Sequence, residues 1–237
     1  MSLWLTSNGL LLLIAYLLGS IPTGYLAGRM LKGIDIRQHG SGSTGATNVL
    51  RTLGKGPALA VFVIDILKGV AAIALVYGAY RLSLFSNLAP ATVTLSAWQA
   101  WLVALAGLAV LIGHSNSIWL NFTGGKSVAT SLGVLFAMSW LVALGAIAVF
   151  GTVLALSQIV SLGSVLGAIA VIGLMVALGQ PLPYLLFAIA GGIYVIWRHR
   201  SNMQRLFAGT EPRLGQKLTQ EPEIAVDNSG SGTWLDS

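Results

Sequence analysis

The sequence contains no cysteine and very few charged residues. Without cysteine, the chain cannot form a disulfide, a thiolate nucleophile or a thiolate metal site. Charged residues make up only 8% of the 237 residues, whereas hydrophobic residues make up 55%. A soluble domain carries about 25% charged residues, so this composition predicts a polytopic membrane protein. The net charge is +6, but the sequence has no soluble domain on which basic residues could form a nucleic-acid-binding surface. We therefore expect no nucleic-acid partner.

Acidic residues are almost confined to the C-terminal end of the chain. Before residue 211 the sequence has only Asp35 and Asp65, so it offers no carboxylate pair for acid–base chemistry and no carboxylate cage for a metal. The three histidines stand on different polar segments. A three-histidine zinc site is formally possible, but no histidine has a local partner at metal-ligand spacing. We therefore predict neither a metal nor a cofactor.

Long apolar segments dominate the remaining sequence, and about 20 apolar residues suffice for a membrane-spanning helix. The segment 128–157 is too long for one ordinary span and has a break near Ser139 and Trp140, so we divide it into two short helices. The sequence thus predicts an all-α membrane protein with about seven transmembrane helices. These run over Gly9 to Met30, Pro57 to Tyr80, Trp98 to Ile112, the two parts of Val128 to Ser157, Ser164 to Leu178 and Pro183 to Trp197.

The ends and connections of these spans lead to further expectations. Pro22 interrupts the first span and is expected to kink it. Residues 83–94 are polar and are expected to form a weakly structured connector. We assign residues 1–210 to one membrane domain. The polar, acidic stretch 211–237 has the composition of a disordered tail.

Basic residues fall almost entirely on one side of a seven-span arrangement. The segments after spans one, three and five and the C-terminus share that side, whereas the opposite side holds only Arg81. The positive-inside rule then places the N-terminus outside and the C-terminus in the cytoplasm. With five spans and two interfacial segments, the two termini would still lie on opposite sides of the membrane.

The first polar segment, residues 38–51, combines three glycines with several hydroxyl side chains. Glycine permits the positive φ angles of a tight turn. From Ala46 the chain can continue as a helix, whose free N–H groups and dipole would face an anion. Asn48 and Arg51 would share one face of that helix. This combination predicts a phosphate-binding loop; a flexible connector between helices is the alternative.

The second polar segment, residues 113–130, places a glycine pair and Lys126 just before the fourth span. A cation at a helix N-terminus opposes the helix dipole. Its position makes sense if an anion binds between the ammonium group and the free N–H groups. The alternative is that Lys126 is an interfacial anchor whose charged end reaches the membrane surface.

Two shorter polar segments follow. The third, residues 160–164, is interpreted as a hydroxyl-rich turn, and taken alone it favours a helix N-cap over a site, because serine is a preferred cap. The fourth, residues 198–205, closes the last span, and its cations are favourable at a helix C-terminus without any further function. If it is helical, His199 and Asn202 can face inward while the arginines face lipid headgroups.

Asp65 and Lys68 lie deep in the second span. Ionisable groups at that depth are costly and are usually paired. At a spacing of three residues the two side chains can neutralise each other. We favour a structural ion pair over a path for protons or substrate.

Together the four polar segments resemble the bacterial acyl-phosphate:glycerol-3-phosphate acyltransferase (PlsY) family over about residues 9–208. The family does not use the His-x₄-Asp dyad of other glycerol-phosphate acyltransferases, and here His39 and His114 are followed at that distance by Thr44 and Trp119. The matching residues are Gly40-Ser41-Gly42, Gly45-Ala46-Thr47-Asn48, Arg51, Gly113-His114, Gly124-Gly125-Lys126, Val128-Ala129-Thr130, Ser161-Leu162, Ser164, Arg198-His199-Arg200 and Asn202. Three positions depart from the family pattern, namely Ser43, Ser117 and Ser127, where Asn, Pro and Gly are usual.

The resemblance implies a seven-helix enzyme of the bacterial plasma (inner) membrane with its active site at the cytoplasmic face. It would transfer an acyl group from acyl phosphate to the 1-hydroxyl of sn-glycerol 3-phosphate and release lysophosphatidic acid and phosphate. His199, Asn48 and Lys126 would position groups or stabilise charge, with a substrate phosphate or His199 as the base. The implied substrate ligands are Gly40, Ser41, Gly42, Gly45, Thr47, Asn48, Arg51, Gly124, Gly125, Lys126, Ser164, His199 and Asn202.

The expected partners are the two substrates, membrane lipid and the peripheral phosphate acyltransferase that supplies acyl phosphate. A transporter for a phosphorylated or other anionic solute is the rival interpretation. Transporters usually bind substrate near the bilayer midplane and often contain inverted repeats. Here the polar segments share one face and no repeat is evident. A purely structural membrane module would leave these four segments without a role.

Overall fold

In the computed structural model, which describes residues 2–216, the protein is a bundle of α-helices joined by short polar segments. The predicted all-α class is confirmed. One 3₁₀ turn, Ile36–Gln38, leads into the first polar segment, and another, Ile118–Leu120, lies within the second. The α-helices are α1 (Ser2–Ser20), α2 (Thr23–Lys32), α3 (Ala46–Leu53), α4 (Lys55–Arg81), α5 (Ser83–Leu88), α6 (Leu95–Ser115), α7 (Val128–Met138), α8 (Trp140–Ser157), α9 (Val160–Ala177), α10 (Leu182–Arg198) and α11 (Arg200–Phe207).

Five helical stretches within residues 2–216 are long and apolar enough to cross a membrane. They are the joined α1–α2 unit, α4, α6, α8 and α9. Helix α10 passes the same test only together with α11, from which it is bent by 59°, and α7 is a shorter apolar helix. The expected seven spans correspond to seven apolar helical units, but the exact number of crossings and the orientation of the termini stay predictions.

Close approach of helix backbones holds the centre of the bundle together. A Cβ atom built on Gly133 of α7 would lie 2.0 Å from the carbonyl oxygen of Ile66 in α4. A Cβ on Gly69 of α4 would in turn lie 2.3 Å from the carbonyl oxygen of Thr130. Glycine is therefore required at both positions, and the contact follows the small-residue packing typical of membrane helices. The close contact between α4 and α7 also holds the second polar segment, which leads into α7, near α4.

The first span begins earlier and the first connector is more ordered than we expected. Helix α1 starts at Ser2 instead of Gly9, because Thr6, Ser7 and Asn8 each donate a side-chain hydrogen bond to the carbonyl four residues before. Polar side chains satisfied in this way are compatible with a helix in an apolar environment. The expected interruption at Pro22 is confirmed, since α1 and α2 are separate helices on either side of it.

The expectation of a weakly structured connector at 83–94 is wrong for its first half, which forms α5. The side chain of Phe85 explains this helix. Its ring packs against Trp4 with a centroid distance of 5.6 Å and against Tyr80 at 5.3 Å. Burial of aromatic area of this kind stabilises a short helix that its own sequence would not.

Candidate substrate site

The four polar segments meet in one polar pocket at the end of the bundle where α2, α6 and α10 finish. The pocket has a volume of about 130 Å³. It is bounded by the beginning of α3, the segment before α7, the first turn of α9 and the junction of α10 with α11. Of the predicted ligands, it brings together Ser41, Gly45, Thr47, Asn48, Arg51, Lys126, Ser164, His199 and Asn202. Gly40, Gly42, Gly124 and Gly125 are not among the residues that line it.

Asn48 shapes the first polar segment. Its side-chain oxygen accepts a hydrogen bond from the N–H of Ser41 at 2.8 Å. Its amide nitrogen donates to the carbonyls of Ile36, His39 and Ser43 at 2.8–3.1 Å. With 1% of its surface exposed and both amide hydrogens engaged by backbone, Asn48 holds the loop in shape. Asn48 also lines the pocket, and its expected role in positioning or charge stabilisation stays a prediction.

The glycines of the first polar segment differ in what they require. Gly40 and Gly42 have φ angles of +60° and +68°, and a Cβ on Gly40 would lie 2.2 Å from the side-chain oxygen of Asn48. Gly45 has an extended backbone with φ of −77° and caps α3, so the expectation of a positive φ there is wrong. The first polar segment enters α3 at Ala46, and Gly45, Ala46 and Thr47 line the pocket. The start of a helix at a pocket wall is a common position for a bound anion.

Arg51 and Lys126 supply the positive charge of the pocket. Within residues 2–216, no ion pair engages either side chain. Burial, reinforced by the nearby cation of Arg205, lowers the pKa of Lys126 to about 8. Burial also lowers the pKa of Arg51, although a guanidinium stays charged at physiological pH. Two partly buried cations without carboxylate partners favour an anionic ligand between them.

Glu211 is a site residue that sequence reasoning missed. Its carboxylate accepts hydrogen bonds from Ser161 at 2.7 Å, Asn202 at 2.6 Å and Arg205 at 2.8 Å. Burial alone would raise the pKa of Glu211, but the bonds from Asn202 and Ser161 and the charge of Arg205 outweigh it and lower the pKa. By composition alone, residue 211 belongs to the start of the polar tail. Residues 211–216 are described by the structure, whereas 217–237 of that tail lie outside its described residues.

The third polar segment is the first turn of α9, so its interpretation as a turn is wrong. Ile159 is the N-cap residue. Neither serine caps the helix: the hydroxyl of Ser164 donates to the carbonyl of Val160, and that of Ser161 donates to Glu211. Both serines are buried, and their spacing of three residues puts them on one face toward the pocket.

His199 lies between α10 and α11 and is buried. Its Nδ1 atom is 2.8 Å from the carbonyl oxygen of Val195. A carbonyl can only accept, so Nδ1 carries the proton and Nε2 is left as a hydrogen-bond acceptor. His199 and Asn202 face the pocket together, as the sequence spacing indicated.

Arg198 faces inward rather than toward lipid headgroups. Its guanidinium donates to the carbonyl of Gly125 at 2.9 Å and to that of Gly124 at 3.4 Å. Behind the same glycine pair, the N–H of Gly125 donates to the carbonyl of His114 at 3.2 Å. The expectation for Arg198 is therefore corrected: it holds the backbone before Lys126.

The three serines that depart from the family pattern each form a hydrogen bond. Ser43 accepts one from the N–H of Gly45, and Ser117 donates to the carbonyl of Ser20. Ser127 has a left-handed backbone with φ of +62°, which explains why glycine suits that position. Its hydroxyl donates to the carbonyl of Leu111 and lies 2.6 Å from that of Ser115.

An apolar cavity of about 390 Å³ adjoins the polar pocket. It lies among α4, α6, α7, α8, α9 and α10. The two spaces share the lining residues Phe62, Val128, Ala129, Phe150 and Ser164. Phe62 and Ile147, which both line the cavity, are 39% and 40% exposed. A polar, cationic pocket joined to an apolar cavity fits a molecule with an anionic head and a hydrocarbon chain.

The fold and the site define an integral membrane protein with a polar, cationic pocket at one end. Residues 9–209 match the family model described as glycerol-3-phosphate acyltransferase. The chain is 63% identical over 223 residues to a glycerol-3-phosphate acyltransferase of Trichormus variabilis, covering 94% of this chain and 99% of that one. It is 59% identical to a protein of the same name in Acaryochloris marina, covering 92% and 96% of the two chains.

Two crystal structures of PlsY (YgiH), an integral membrane glycerol 3-phosphate acyltransferase, share this fold. The glycerol 3-phosphate form superposes with a TM-score of 0.77 at 36% identity and covers 88% of this chain and 96% of that chain. The lysophosphatidic acid form gives 0.74 at 35% identity and covers 87% and 95%. The present chain belongs to the glycerol-3-phosphate acyltransferase family, of the PlsY type.

Proposed function

We propose that this glycerol-3-phosphate acyltransferase takes its acyl group from acyl phosphate and transfers it to the 1-hydroxyl of sn-glycerol 3-phosphate. The observation that carries this proposal is the shared wall between the polar pocket and the apolar cavity. Ser164, Val128 and Phe150 line both. An acyl phosphate would place its charged head among the cations and its chain in the cavity. The junction between the two spaces is then where its carbonyl lies.

Arg51, Lys126 and the N-terminus of α3 are the groups that would hold phosphate. Charge-assisted hydrogen bonds of this kind are the stronger ones in proteins. Ser41, Thr47, Ser164 and Asn202 add neutral polar groups to the same lining. The glycines 40, 42, 124 and 125 do not line the pocket and act by shaping the loops. Positioning the two substrates and stabilising developing charge are the main catalytic tasks of such a site.

The transfer needs little covalent help from the protein. The 1-hydroxyl oxygen attacks the carbonyl carbon, the bond from that carbon to the phosphate oxygen breaks, and phosphate leaves with the electron pair. A phosphate oxygen of one of the substrates takes the hydroxyl proton. Between residues 2 and 216 no group of three or more histidine, cysteine or acidic side chains could hold a metal, and the scheme calls for none. Nε2 of His199 is the alternative acceptor for this proton.

The proposed active site faces the cytoplasm of a bacterial inner membrane. The support is the asymmetry of charge: the pocket end of the bundle carries Arg29, Lys32, Lys55 and Arg205 in addition to the pocket cations, which the positive-inside rule assigns to the cytoplasm. Acyl phosphate is amphiphilic and reactive, so it is best made close to where it is used. The expected supplier is therefore a peripheral phosphate acyltransferase at the same membrane face.

A donor assay tests the proposal. Purified protein in detergent or nanodiscs is given radiolabelled glycerol 3-phosphate with either palmitoyl phosphate or palmitoyl-CoA. We expect labelled lysophosphatidic acid with palmitoyl phosphate and none with palmitoyl-CoA. Product formed from palmitoyl-CoA alone would contradict the donor assignment, and movement of label across proteoliposomes without product would favour the transporter interpretation.

A further inference from the structure

A buried polar cluster, formed by Thr23, Asp65, Lys68 and His114, lies beneath the polar pocket and takes no part in the proposed chemistry. Its four members are 1–8% exposed. The side-chain oxygen Oδ1 of Asp65 accepts a hydrogen bond from the hydroxyl of Thr23 at 2.6 Å. The same oxygen lies 2.9 Å from Nζ of Lys68 and 3.7 Å from Nδ1 of His114. The expected ion pair between Asp65 and Lys68 is confirmed, but an ion pair alone does not require the other two residues.

One arm of this cluster reaches the first polar segment. Thr23 is the first residue of α2, and Nζ of Lys68 also donates to the carbonyl of Ile21 at the break before that helix. The next residue, Gly24, is pressed against the first polar segment: a Cβ there would lie 1.9 Å from the carbonyl oxygen of Thr44. Any shift of the start of α2 therefore moves the backbone of Thr44 and the segment that leads into α3.

The other arm reaches the segment that carries Lys126. The His114 ring stands against Gly125, where a Cβ would lie 2.1 Å from Nε2 of His114. The carbonyl of His114 also accepts the hydrogen bond from the N–H of Gly125. Asp65 and His114 both line the pocket from below. A shift of His114 is therefore transmitted directly to the residue before Lys126.

We propose that Asp65 is a positioning residue that sets the separation between the two phosphate-binding segments. Its oxygen Oδ1 lies within 3.7 Å of the side chains of Thr23, Lys68 and His114, which stand on α2, α4 and α6. An oriented phosphate site depends on such spacing, since a displacement of about 1 Å can cost as much as a hundredfold in rate. The proposal rests on the proposed function only in that both segments hold the phosphate of glycerol 3-phosphate.

The test separates positioning from stability. Replacing a buried ion pair by apolar residues of similar size often leaves stability unchanged, whereas removing one partner does not. The double variant Asp65→Leu/Lys68→Met removes both charges together with the contact to Thr23. Asp65→Asn/Lys68→Met keeps an oxygen that can accept from Thr23. The single variant Thr23→Val preserves shape and removes only the bond to Asp65.

Binding of glycerol 3-phosphate by calorimetry, with no acyl donor present, is the main readout, and thermal unfolding is recorded for each variant. We expect Thr23→Val to bind at least about threefold more weakly and Asp65→Leu/Lys68→Met at least about tenfold more weakly, at unfolding temperatures near the parent's. Asp65→Asn/Lys68→Met should lie between them. The control Tyr77→Phe/Tyr184→Phe removes another polar contact of α4, at 2.7 Å, far from both segments, and should bind normally.

Unchanged binding in Thr23→Val would overturn the proposal even if the double variants fail to fold. That variant removes the direct bond between Asp65 and α2 without leaving a charge unpaired, and it leaves the bond from Lys68 to Ile21 in place. Equal loss in the tyrosine control would show that α4 acts through general packing, which would also overturn it. Failure of the acyl-phosphate assay, by contrast, leaves this test intact, since it measures binding of the acceptor alone.

Discussion

The ammonium group of Lys126 donates a hydrogen bond to the side-chain oxygen of Asn202, 76 residues further along the chain. The amide of Asn202 is oriented by its other partner, because its nitrogen donates to the carboxylate of Glu211, which can only accept. Glu211 thus turns an acceptor toward Lys126 without contacting the lysine itself. This arrangement connects the second polar segment, α11 and the chain after α11 in one network at the pocket.

Removing either pocket cation should weaken phosphate binding. Arg51→Ala and Lys126→Ala each delete charge-assisted hydrogen bonds worth roughly 1.5–3 kcal/mol, so we expect KM for glycerol 3-phosphate to rise about 10- to 150-fold. Arg51→Lys should recover only part of the loss if the contact is bidentate. The control is Lys55→Ala, an exposed cation at the start of α4. Normal kinetics in all three pocket variants would show that Arg51 and Lys126 do not hold the phosphate.

Deprotonation of Lys126 should lower the affinity of the enzyme for glycerol 3-phosphate at alkaline pH. Its pKa of about 8 in the free protein means that the ammonium loses its proton as pH rises through 8. We expect kcat/KM for glycerol 3-phosphate to fall above that pH. Bound phosphate favours the charged form, so kcat should persist to higher pH. In Lys126→Arg the fall should disappear, because a guanidinium does not titrate there. A wild-type kcat/KM profile that stays level to pH 9.5 would contradict this assignment.

Glu211 should stabilise the protein at neutral pH and lose that effect in acid. Glu211→Ala leaves Asn202 and Ser161 without their acceptor, and we expect a loss of roughly 1–3 kcal/mol in the free energy of unfolding. The lowered pKa of Glu211 means that this contribution is present above pH 4.5 and disappears as pH falls through the folded-state value. Thermal unfolding of both proteins across pH 3.5–7 measures it. Substitution of the exposed neighbour, Arg213→Ala, is the control. A difference in unfolding temperature between the wild type and Glu211→Ala that stays the same at all pH values would contradict the role of the Glu211 carboxylate.

Local rules predicted much of this structure. The break at Ser139, the helix from Ala46 and the pairing of Asp65 with Lys68 all depend on residues close together in the chain. Their physical causes, which are helix periodicity and the cost of an unpaired charge in a membrane, can be assessed from sequence.

Contacts between distant residues decided the rest. Glu211 bonds Ser161 across 50 residues, and a single acidic residue beyond the last span carries no signal of that contact. Asn48 was predicted as a substrate ligand because its type suits a phosphate site, and it does line the pocket. Its bonds to the backbone of Ile36, His39, Ser41 and Ser43 were not predicted, because the spacing of residues alone does not show which backbone groups a turn brings near.

The left-handed backbone of Ser127 gives a prediction about stability. Ser127→Gly relieves a conformation that costs a non-glycine residue about 1 kcal/mol but removes the hydroxyl bonded to Leu111 and Ser115. Ser127→Ala removes the same bonds and keeps the strain. We expect Ser127→Gly to unfold near the wild-type temperature and Ser127→Ala to unfold several degrees lower. The reverse order would show that the hydroxyl network and the backbone angle are not the determinants.

The last prediction concerns the base. Since Nδ1 of His199 donates to Val195, Nε2 is free either to orient the glycerol hydroxyl or to accept its proton. We expect His199→Ala to retain measurable turnover, because a substrate phosphate can accept that proton. A general base contributes about 10²–10⁴-fold, so the size of the loss alone does not decide between the roles.

The pH profile of the variant does decide. A phosphate monoester has a second pKa near 6, and in the substrate-assisted scheme the corresponding titration persists in a folded His199→Ala enzyme. If instead His199 is the base, the variant should show a level profile between about pH 5.5 and 8, at a rate several thousandfold lower. His199→Gln keeps a polar group without an imidazole, and should recover positioning but not base catalysis. Recovery in this variant together with a persistent titration would leave the substrate's own phosphate as the proton acceptor.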